Sequence, residues 1–224
     1  MNAARFVGIA ALAIGVLVGG LSYFRKDVIV DSHRHLRQVV LHHIFSRFDQ
    51  PIVIVGDSIT EASTLPRTFC GRPVVNAGLD GASTASDLGT WLIEVLGDRR
   101  ATAILVALGT NDVLQERSVQ EFEADYTSLL ALLAGATDHL ALLGIPAIEM
   151  RPGMSPELLK QTAARVDAFN AMLRALAKKS GAAFTALPPM DSPHTIDGVH
   201  LDASGYAVWD AAVLKGVSSV CSTH

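Results

Sequence analysis

The sequence predicts an α/β fold: a three-layer α/β/α sandwich with a mainly parallel five-stranded sheet, preceded by an N-terminal transmembrane helix. Short runs of apolar and β-branched residues alternate with longer segments of helical periodicity, which predicts parallel strands covered by helices on both faces. Two of the runs end at a glycine, Gly56 or Gly109, where the chain can turn sharply. An uncharged apolar stretch at residues 6–24 predicts the transmembrane helix.

The apolar stretch has close to the length of about 20 residues that crosses a bilayer as a helix. It is longer than the apolar part of most cleaved signal peptides and ends without a small-residue cleavage site, so residues 1–26 are predicted to be an uncleaved single-pass anchor. Positive charges lie after the span at Arg25, Lys26, Arg34 and Arg37, which alone would favour a cytoplasmic domain. A short N-terminal tail with Arg5 before an apolar run usually directs export of the downstream domain, and we expect a periplasmic or extracytoplasmic domain.

Residues 27–50 are predicted to form a juxtamembrane helix, because apolar residues recur there at helical spacing. The segment contains four histidines: His33, His35, His42 and His43. A metal site is one interpretation of this cluster. No cysteine or acidic ligand accompanies the histidines at a recognised spacing, so a solvated helix face is the favoured interpretation.

Residues 51–224 are predicted to form one domain of alternating strands and helices. The predicted strands are residues 52–55, 73–76, 102–108, 140–143 and 182–187. Two helices carry clear start signals, the capping box that begins at Ser118 and the N-cap Ser155 followed by Pro156. Weaker helical patterns cover residues 84–96 and 203–215.

Composition excludes several classes of function. Hydrophobic residues make up 50% of the 224 residues and charged residues 18%, which is enough apolar side chain for a sizeable core. The net charge of −4 gives no basic excess to attract nucleic acid. Cys70 and Cys221 form no CxxC motif, so neither zinc binding nor a redox pair is indicated, and whether the two pair is left open. Cys70 is interpreted as a small buried or partly buried residue rather than a second nucleophile.

The first polar cluster, Gly56-Asp57-Ser58-Ile59-Thr60, comes directly after the first predicted strand. Ser58 would therefore lie at the carboxyl edge of the sheet, where ligands bind in open α/β folds. A helix N-cap is the competing interpretation of this serine. The cluster is not a phosphate-binding P-loop, because it lacks a subsequent Gly-Lys-Ser/Thr, and Thr60 replaces the second glycine of a G-x-S-x-G elbow.

Two further clusters could complete a site around Ser58. Gly109-Thr-Asn-Asp112 comes after the third predicted strand, and its Asn111 could direct an amide donor into the same crevice or form an Asx-turn or N-cap. Asp197-Gly-Val-His200 places a carboxylate three residues before an imidazole, close enough to orient it in a tight turn. Each cluster alone is also ordinary loop sequence.

Together these residues resemble the SGNH hydrolase superfamily, also called the GDSL-like lipase and esterase family. Its four signature residues correspond to Ser58, Gly78, Asn111 and His200, in the family order and in the contexts Gly-Asp-Ser-Ile-Thr, Asn-Ala-Gly, Gly-Thr-Asn-Asp and Asp-Gly-Val-His-Leu. The resemblance covers residues 51–224 and continues into Asp202-Ala-Ser-Gly-Tyr206, which is similar to the family's closing helix. Ile59 departs from the name-giving motif, where leucine is commoner, but keeps an apolar side chain.

The resemblance implies a serine hydrolase that cleaves carboxylic esters through a covalent acyl-enzyme. Ser58 would be the nucleophile, His200 the general base and Asp197 the residue that orients His200, with an oxyanion hole formed by Ser58, Gly78 and Asn111. Asp57 and Asp112 are expected to support the loops through hydrogen bonds. This chemistry needs no metal and no organic cofactor.

The sequence leaves the identity of the substrate open. Small-molecule, glycan and lipid esters all suit the predicted chemistry, and so do thioesters. A membrane-tethered domain that binds an acyl or glycan ligand without turnover is the alternative outside the enzyme class. The presence of both Ser58 and His200 speaks against it, because a domain that has lost catalysis usually lacks one of them.

Overall fold

The structure is a computed structural model that describes residues 32–222. The chain divides into two compact units, Met1–Val40 and Leu41–His224. Helix α1 is described from residue 32 to residue 45, within the predicted juxtamembrane helix. The predicted transmembrane span at residues 6–24 lies outside the described residues. Within residues 32–222 no helix is both long enough and apolar enough to cross a membrane.

A six-stranded sheet forms the centre of the second unit. Its strands are β1 Ile52–Gly56, β2 Thr68–Phe69, β3 Arg72–Gly78, β4 Ala103–Ala107, β5 Leu140–Leu143 and β6 Ala183–Thr185, in the spatial order β2-β3-β1-β4-β5-β6. Five strands are parallel, as predicted, and β2 pairs antiparallel with β3 at one edge. The sequence predicted five strands and missed β2, the sixth. A strand of two residues is too short to show an alternation of apolar and polar side chains.

Helices lie between the strands, and one α-helix comes after the last strand. They are α2 Ser58–Glu61, α3 Leu88–Leu96, α4 Thr110–Leu114, α5 Val119–Leu133, α6 Pro156–Ser180 and α7 Ala203–Gly216, and a 3₁₀ helix at Ser218–Ser222 comes after them. The predicted start signals are confirmed: Ser118 and Glu121 form the capping box of α5, and the Ser155 side chain caps α6. Helix α6 ends at Gly181, whose left-handed φ of 72° favours glycine.

Alternate residues of the strands face two separate cores. In β1, Val53 and Val55 point toward the core that contains residues of α3, α5 and α6. Ile52 and Ile54 point toward the opposite core, which contains Trp209 and other residues of α7. All five residues of β1 are buried, as expected for a central parallel strand that is covered on both faces. The predicted three-layer α/β/α sandwich is therefore confirmed.

The order of the strands fixes where a site can form. From β1 the chain passes to β3 on one side and later to β4 on the other, so the direction of winding reverses at β1. Open α/β sheets bind ligands beyond the carboxyl ends of the strands at such a switch point. The register aligns the last residue of β1, Gly56, with Gly78 of β3 and with Ala107 of β4.

A disulfide joins Cys70 to Cys221, with the two Cα atoms 5.2 Å apart. It connects the turn between β2 and β3 to the 3₁₀ helix near the end of the chain. The sequence left open whether the two cysteines pair, and the structure shows that they do. Because the bond closes a long loop, it should stabilise the fold mainly by restricting the unfolded chain.

Candidate active site

The carboxyl edge of the sheet brings the predicted site residues together. Ser58 is the first residue of α2, directly beyond β1, and Gly78 ends β3. Asn111 is the second residue of α4, directly beyond β4. His200 comes from the loop that precedes α7, and its side chain reaches Ser58. Residues that are more than 140 positions apart in the sequence therefore meet at the switch point beside β1.

A chain of hydrogen bonds links Ser58, His200 and Asp197. The Ser58 Oγ lies 3.0 Å from Nε2 of His200, and Nδ1 of His200 lies 2.8 Å from Oδ2 of Asp197. An ionised Asp197 accepts a hydrogen bond from the protonated Nδ1, which leaves the lone pair of Nε2 facing the serine hydroxyl. Ser58 is half-buried, whereas the His200 side chain keeps 41% of its surface exposed, so substrate can approach from solvent.

Asp197 is held in its ionised form by a turn of the backbone. Its Oδ1 accepts the backbone N–H groups of Val199 at 3.0 Å and His200 at 2.8 Å. Partial burial acts to raise the pKa of Asp197, but the hydrogen bonds from the His200 imidazole and from these N–H groups lower it to about 2. Gly198, between Asp197 and Val199, has a φ of 90°, a conformation that side-chain-bearing residues rarely adopt.

The N-cap of α2 distinguishes the two interpretations of Ser58. Asp57, not Ser58, is the N-cap, and its Oδ1 accepts the N–H of Ile59 at 3.0 Å. The Ser58 hydroxyl therefore has no capping role and bonds to His200 instead. The expectation that Asp57 supports the loop through hydrogen bonds is confirmed.

Asp57 is buried beside Ser58, and burial raises the pKa of its carboxyl to about 7 despite hydrogen bonds from Ile59, Thr110 and Thr60. The folded protein thus holds this proton more tightly than the unfolded chain does. Its contribution to stability is fully present below pH about 4 and is lost as the pH rises through about 7.

We expect Asp57→Asn, which stays neutral, to remove this pH dependence. The free energy of unfolding of the wild type should fall relative to that of Asp57→Asn between pH 4 and pH 7, the range between the ordinary and the raised pKa. Urea unfolding of both proteins across this range measures the difference. A constant difference would show that Asp57 does not titrate in that window.

Two of the three candidate oxyanion donors form other hydrogen bonds in this structure. The Gly78 N–H donates to Oδ1 of Asn76 at 2.9 Å, and the Asn111 amide donates to the carbonyl oxygen of Ala82 at 2.8 Å. The Asn111 amide carries a second N–H, which can donate to an oxyanion without breaking that bond. The Gly78 N–H would have to be shared between the oxyanion and Asn76.

Gly78 permits a close approach of two backbone segments. A Cβ atom at this position would lie 2.2 Å from the backbone nitrogen of Glu61 in α2. The glycine therefore lets the end of β3 pack directly against the helix that carries Ser58. Asn76 strengthens the same junction, since its amide nitrogen donates to the carbonyl oxygen of Thr60 at 2.6 Å.

Loss of the Asn111 amide should slow turnover without unfolding the domain. Asn111→Ala is expected to lower kcat by about 10²–10³, the usual effect of removing one oxyanion donor. Steady-state kinetics on a p-nitrophenyl ester measures kcat, and thermal unfolding checks that the lost bond to Ala82 leaves the domain folded. An unchanged kcat in the folded variant would remove Asn111 from the site.

Of the residues that support the loops of the site, the sequence predicted some and missed others. Asp112 is fully buried and accepts both the backbone N–H and the hydroxyl of Thr84, which confirms its expected support of a loop. Asn76 begins the Asn-Ala-Gly motif, but its bond to the Gly78 N–H was not predicted, and Glu149, which holds a neighbouring loop, stands in no motif. Among residues 32–222, no group of three or more His, Cys, Asp or Glu side chains could hold a metal ion.

The α/β serine hydrolases share one arrangement at the carboxyl edge of a parallel sheet. In it a serine hydroxyl is hydrogen-bonded to an imidazole that a carboxylate orients. Comparison with known proteins agrees: the sequence model of the GDSL-like Lipase/Acylhydrolase family matches residues 54–208. The chain therefore belongs to the GDSL-like lipase/acylhydrolase family and is a hydrolase that acts on ester bonds. None of the curated proteins matches it in sequence.

Solved structures share the fold at low sequence identity. A Streptococcus pneumonia protein provisionally described as a platelet activating factor is 21% identical with a TM-score of 0.71, over 88% of this chain and 98% of its own. Est24, a carbohydrate acetylesterase from Sinorhizobium meliloti, is 19% identical with a TM-score of 0.61, over 77% and 100%. Axe2, an acetylxylan esterase from Geobacillus stearothermophilus, is 16% identical with a TM-score of 0.60, over 75% and 93%.

Proposed function

We propose that the chain is a serine esterase in which Ser58 is the nucleophile, His200 the general base and general acid, and Asp197 the residue that orients His200. The observation that carries this proposal is the hydrogen-bonded chain from Ser58 Oγ through His200 to Asp197, with distances of 3.0 Å and 2.8 Å. A hydroxyl is a weak nucleophile at neutral pH, and an adjacent imidazole base supplies the activation that it needs.

The reaction proceeds in two halves. In the first, Ser58 Oγ attacks the ester carbonyl carbon while its proton passes to His200 Nε2, and the tetrahedral intermediate expels the alcohol, which takes the proton from Nε2. In the second, a water molecule loses a proton to Nε2 and attacks the acyl-Ser58 ester. Collapse of this intermediate releases the carboxylic acid and returns the proton to Ser58 Oγ.

Negative charge develops on the carbonyl oxygen in both halves. The backbone N–H groups of Ser58 and Gly78 and the side-chain amide of Asn111 are the donors proposed to stabilise it. The N–H of Ser58 lies at the start of α2, where no preceding turn of helix supplies an acceptor for it. Fixed donors of this kind need no reorganisation during the reaction, which is why they lower the barrier.

Esters of small molecules or glycans are the proposed substrate class. The similarity in fold to a carbohydrate acetylesterase and an acetylxylan esterase supports carbohydrate O-acetyl groups within that class. Lipid esters and thioesters use the same chemistry, so one assay series should contain p-nitrophenyl esters of graded chain length, acetylated xylo-oligosaccharides and an acyl thioester. Ser58→Ala is the blank. Ester hydrolysis by the wild type alone supports the proposal, and no hydrolysis of any member would favour a domain that binds acyl or glycan ligands without turnover.

We propose further that residues 6–24 anchor the chain in a membrane and that the hydrolase domain lies on the extracytoplasmic side. The Cys70–Cys221 disulfide supports this location, because such bonds persist in oxidising compartments and are rare in the cytosol. A C-terminal reporter that is active only outside the cytoplasm tests the orientation. Recovery of the protein in membranes after a high-salt wash tests the anchor, and a soluble protein shortened at its N-terminus would contradict it.

A further inference from the structure

A second carboxylate lies beneath the loop that carries Asp197 and His200. Glu149 belongs to the connection between β5 and α6, and its side chain is 15% exposed. Its Oε1 accepts the Ser192 hydroxyl at 2.6 Å. Its Oε2 accepts the backbone N–H groups of His194 at 3.1 Å and Thr195 at 3.0 Å, and also the Thr195 hydroxyl at 2.5 Å.

The contacts of Glu149 continue directly into the Asp197–His200 turn. The Thr195 hydroxyl oxygen also accepts the N–H of Gly198 at 3.1 Å. The backbone N–H of Glu149 donates to the carbonyl oxygen of Gly198 at 2.9 Å. The side chain of Glu149 thus holds the segment before the turn, and its backbone holds Gly198 within the turn. The Ile196 N–H donates to the carbonyl oxygen of His200 at 2.8 Å, and this bond closes the turn.

Only an ionised carboxylate satisfies this set of neighbours. Every group that bonds to the Glu149 side chain is a donor, and a carboxylate offers acceptor positions on both oxygens. The Nδ1 of His194 also lies 3.2 Å from Oε1, outside hydrogen-bond geometry. Burial acts to raise the pKa of Glu149, but the hydrogen bonds from Ser192, Thr195 and His194 lower it to about 2, so the group stays ionised at neutral pH.

We propose that Glu149 is a positioning residue, which holds the Asp197–His200 turn so that Nε2 of His200 stays within hydrogen-bond reach of Ser58 Oγ. This inference rests on the proposed role of His200 as the base. The loop of residues 192–200 lies outside the helices and strands and comes from a different part of the chain than Ser58, so its position depends on bonds of this kind. A displacement of a reacting group by about 1 Å can lower a rate by about 10².

The direct test is Glu149→Gln, which keeps the shape of the side chain but replaces one acceptor with a donor that faces other donors. We expect kcat to fall by about 10–100-fold with KM little changed, because the substrate contacts remain while the base moves. Glu123→Gln on the exposed face of α5 is the matched control and should leave kcat unchanged. An unchanged kcat in folded Glu149→Gln would overturn the proposal.

A second pair of variants keeps the proposal testable if Glu149→Gln does not fold. Thr195→Val removes the hydroxyl that bridges Glu149 and Gly198 but preserves the side-chain shape, and Thr195→Ser retains the hydroxyl. We expect Thr195→Val to lower kcat and Thr195→Ser to restore most of it. Equal kcat values for the two folded variants would contradict a positioning role for this network.

Proton NMR separates this proposal from the proposed function. The Nδ1 proton of His200, hydrogen-bonded to Asp197, should give a downfield signal that is absent in His200→Ala. We expect Glu149→Gln to weaken or shift this signal and Glu123→Gln to leave it in place, even if no ester substrate is turned over. A wild type that shows the signal but hydrolyses no ester would refute the esterase alone, and an unaltered signal in Glu149→Gln would refute the positioning role alone.

Discussion

Replacement of His200 by alanine should lower kcat for a p-nitrophenyl ester by roughly 10⁶, close to the effect of losing Ser58 itself, because nucleophile and base act as a unit. The imidazole is the group within hydrogen-bond distance of Ser58 Oγ that can take its proton. The alanine variant keeps the two backbone hydrogen bonds of position 200. Its N–H still donates to Asp197, and its carbonyl oxygen still accepts the N–H of Ile196. The loss of activity should therefore come without loss of the fold.

An exposed histidine provides the matched control for this variant. His139 precedes β5 at the amino end of the sheet, opposite to the edge that carries Ser58. His139→Ala should retain wild-type kcat, and circular dichroism should show the same fold in all three proteins. A His200→Ala protein that keeps more than about one tenth of the activity would be incompatible with His200 as the base.

The second large effect is expected for Asp197→Asn, a fall in kcat of about 10³–10⁴. The Asn oxygen must occupy the Oδ1 position to accept the N–H groups of Val199 and His200. This leaves the amide nitrogen facing Nδ1 of His200, which then becomes an acceptor and places the imidazole proton on Nε2. In that tautomer Nε2 cannot take the Ser58 proton.

The effect of Asp197→Asn should be smaller than that of His200→Ala, because the imidazole is still present and can reach the productive tautomer at an energetic cost. Asp138→Asn serves as the control, since Asp138 forms an exposed ion pair with Arg100, a kind of contact that contributes little. Steady-state kinetics of the three variants gives the ranking. A rate for Asp197→Asn equal to that of the wild type would remove Asp197 from the proposed triad.

The sequence was sufficient to predict that the candidate site residues meet at one edge of the sheet. The motifs at Ser58 and Asn111 each come after a buried apolar run, and the carboxyl ends of parallel strands share one edge of the sheet. Their convergence could therefore be predicted without knowing the strand order. The order itself, with β3 and β4 on either side of β1, depends on packing between distant segments and has no local signal.

Contacts within the fold explain why the observed helix boundaries differ from the predicted ones. The pattern at residues 84–96 predicted a helix from its first residue, but α3 begins at Leu88. The backbone N–H and the hydroxyl of Thr84 both donate to the buried carboxylate of Asp112. These bonds hold the residues before Leu88 in a loop. Helices α2 and α4 are only one turn long, too short for helical periodicity to appear.

Other features depend on contacts between residues far apart in the sequence. Cys70 and Cys221 pair across a separation of 151 residues, and two isolated cysteines give no indication of partnership. Glu149 is a single acidic residue in a long connection, and its importance becomes visible only when Ser192 and Thr195 are seen to donate to it. Pattern analysis finds residues that stand in motifs, whereas such supporting residues are found by their hydrogen bonds.

The central claim, that Ser58 is a nucleophile activated by His200, is tested most directly by covalent labelling with a fluorophosphonate probe. Such probes react with a serine whose proton is removed by a neighbouring base. The wild type should be labelled on the peptide that contains Gly56-Asp57-Ser58, and His200→Ala should cut the labelling rate by orders of magnitude. Absence of labelling in the folded wild type, or labelling that continues undiminished in His200→Ala, would contradict the assignment.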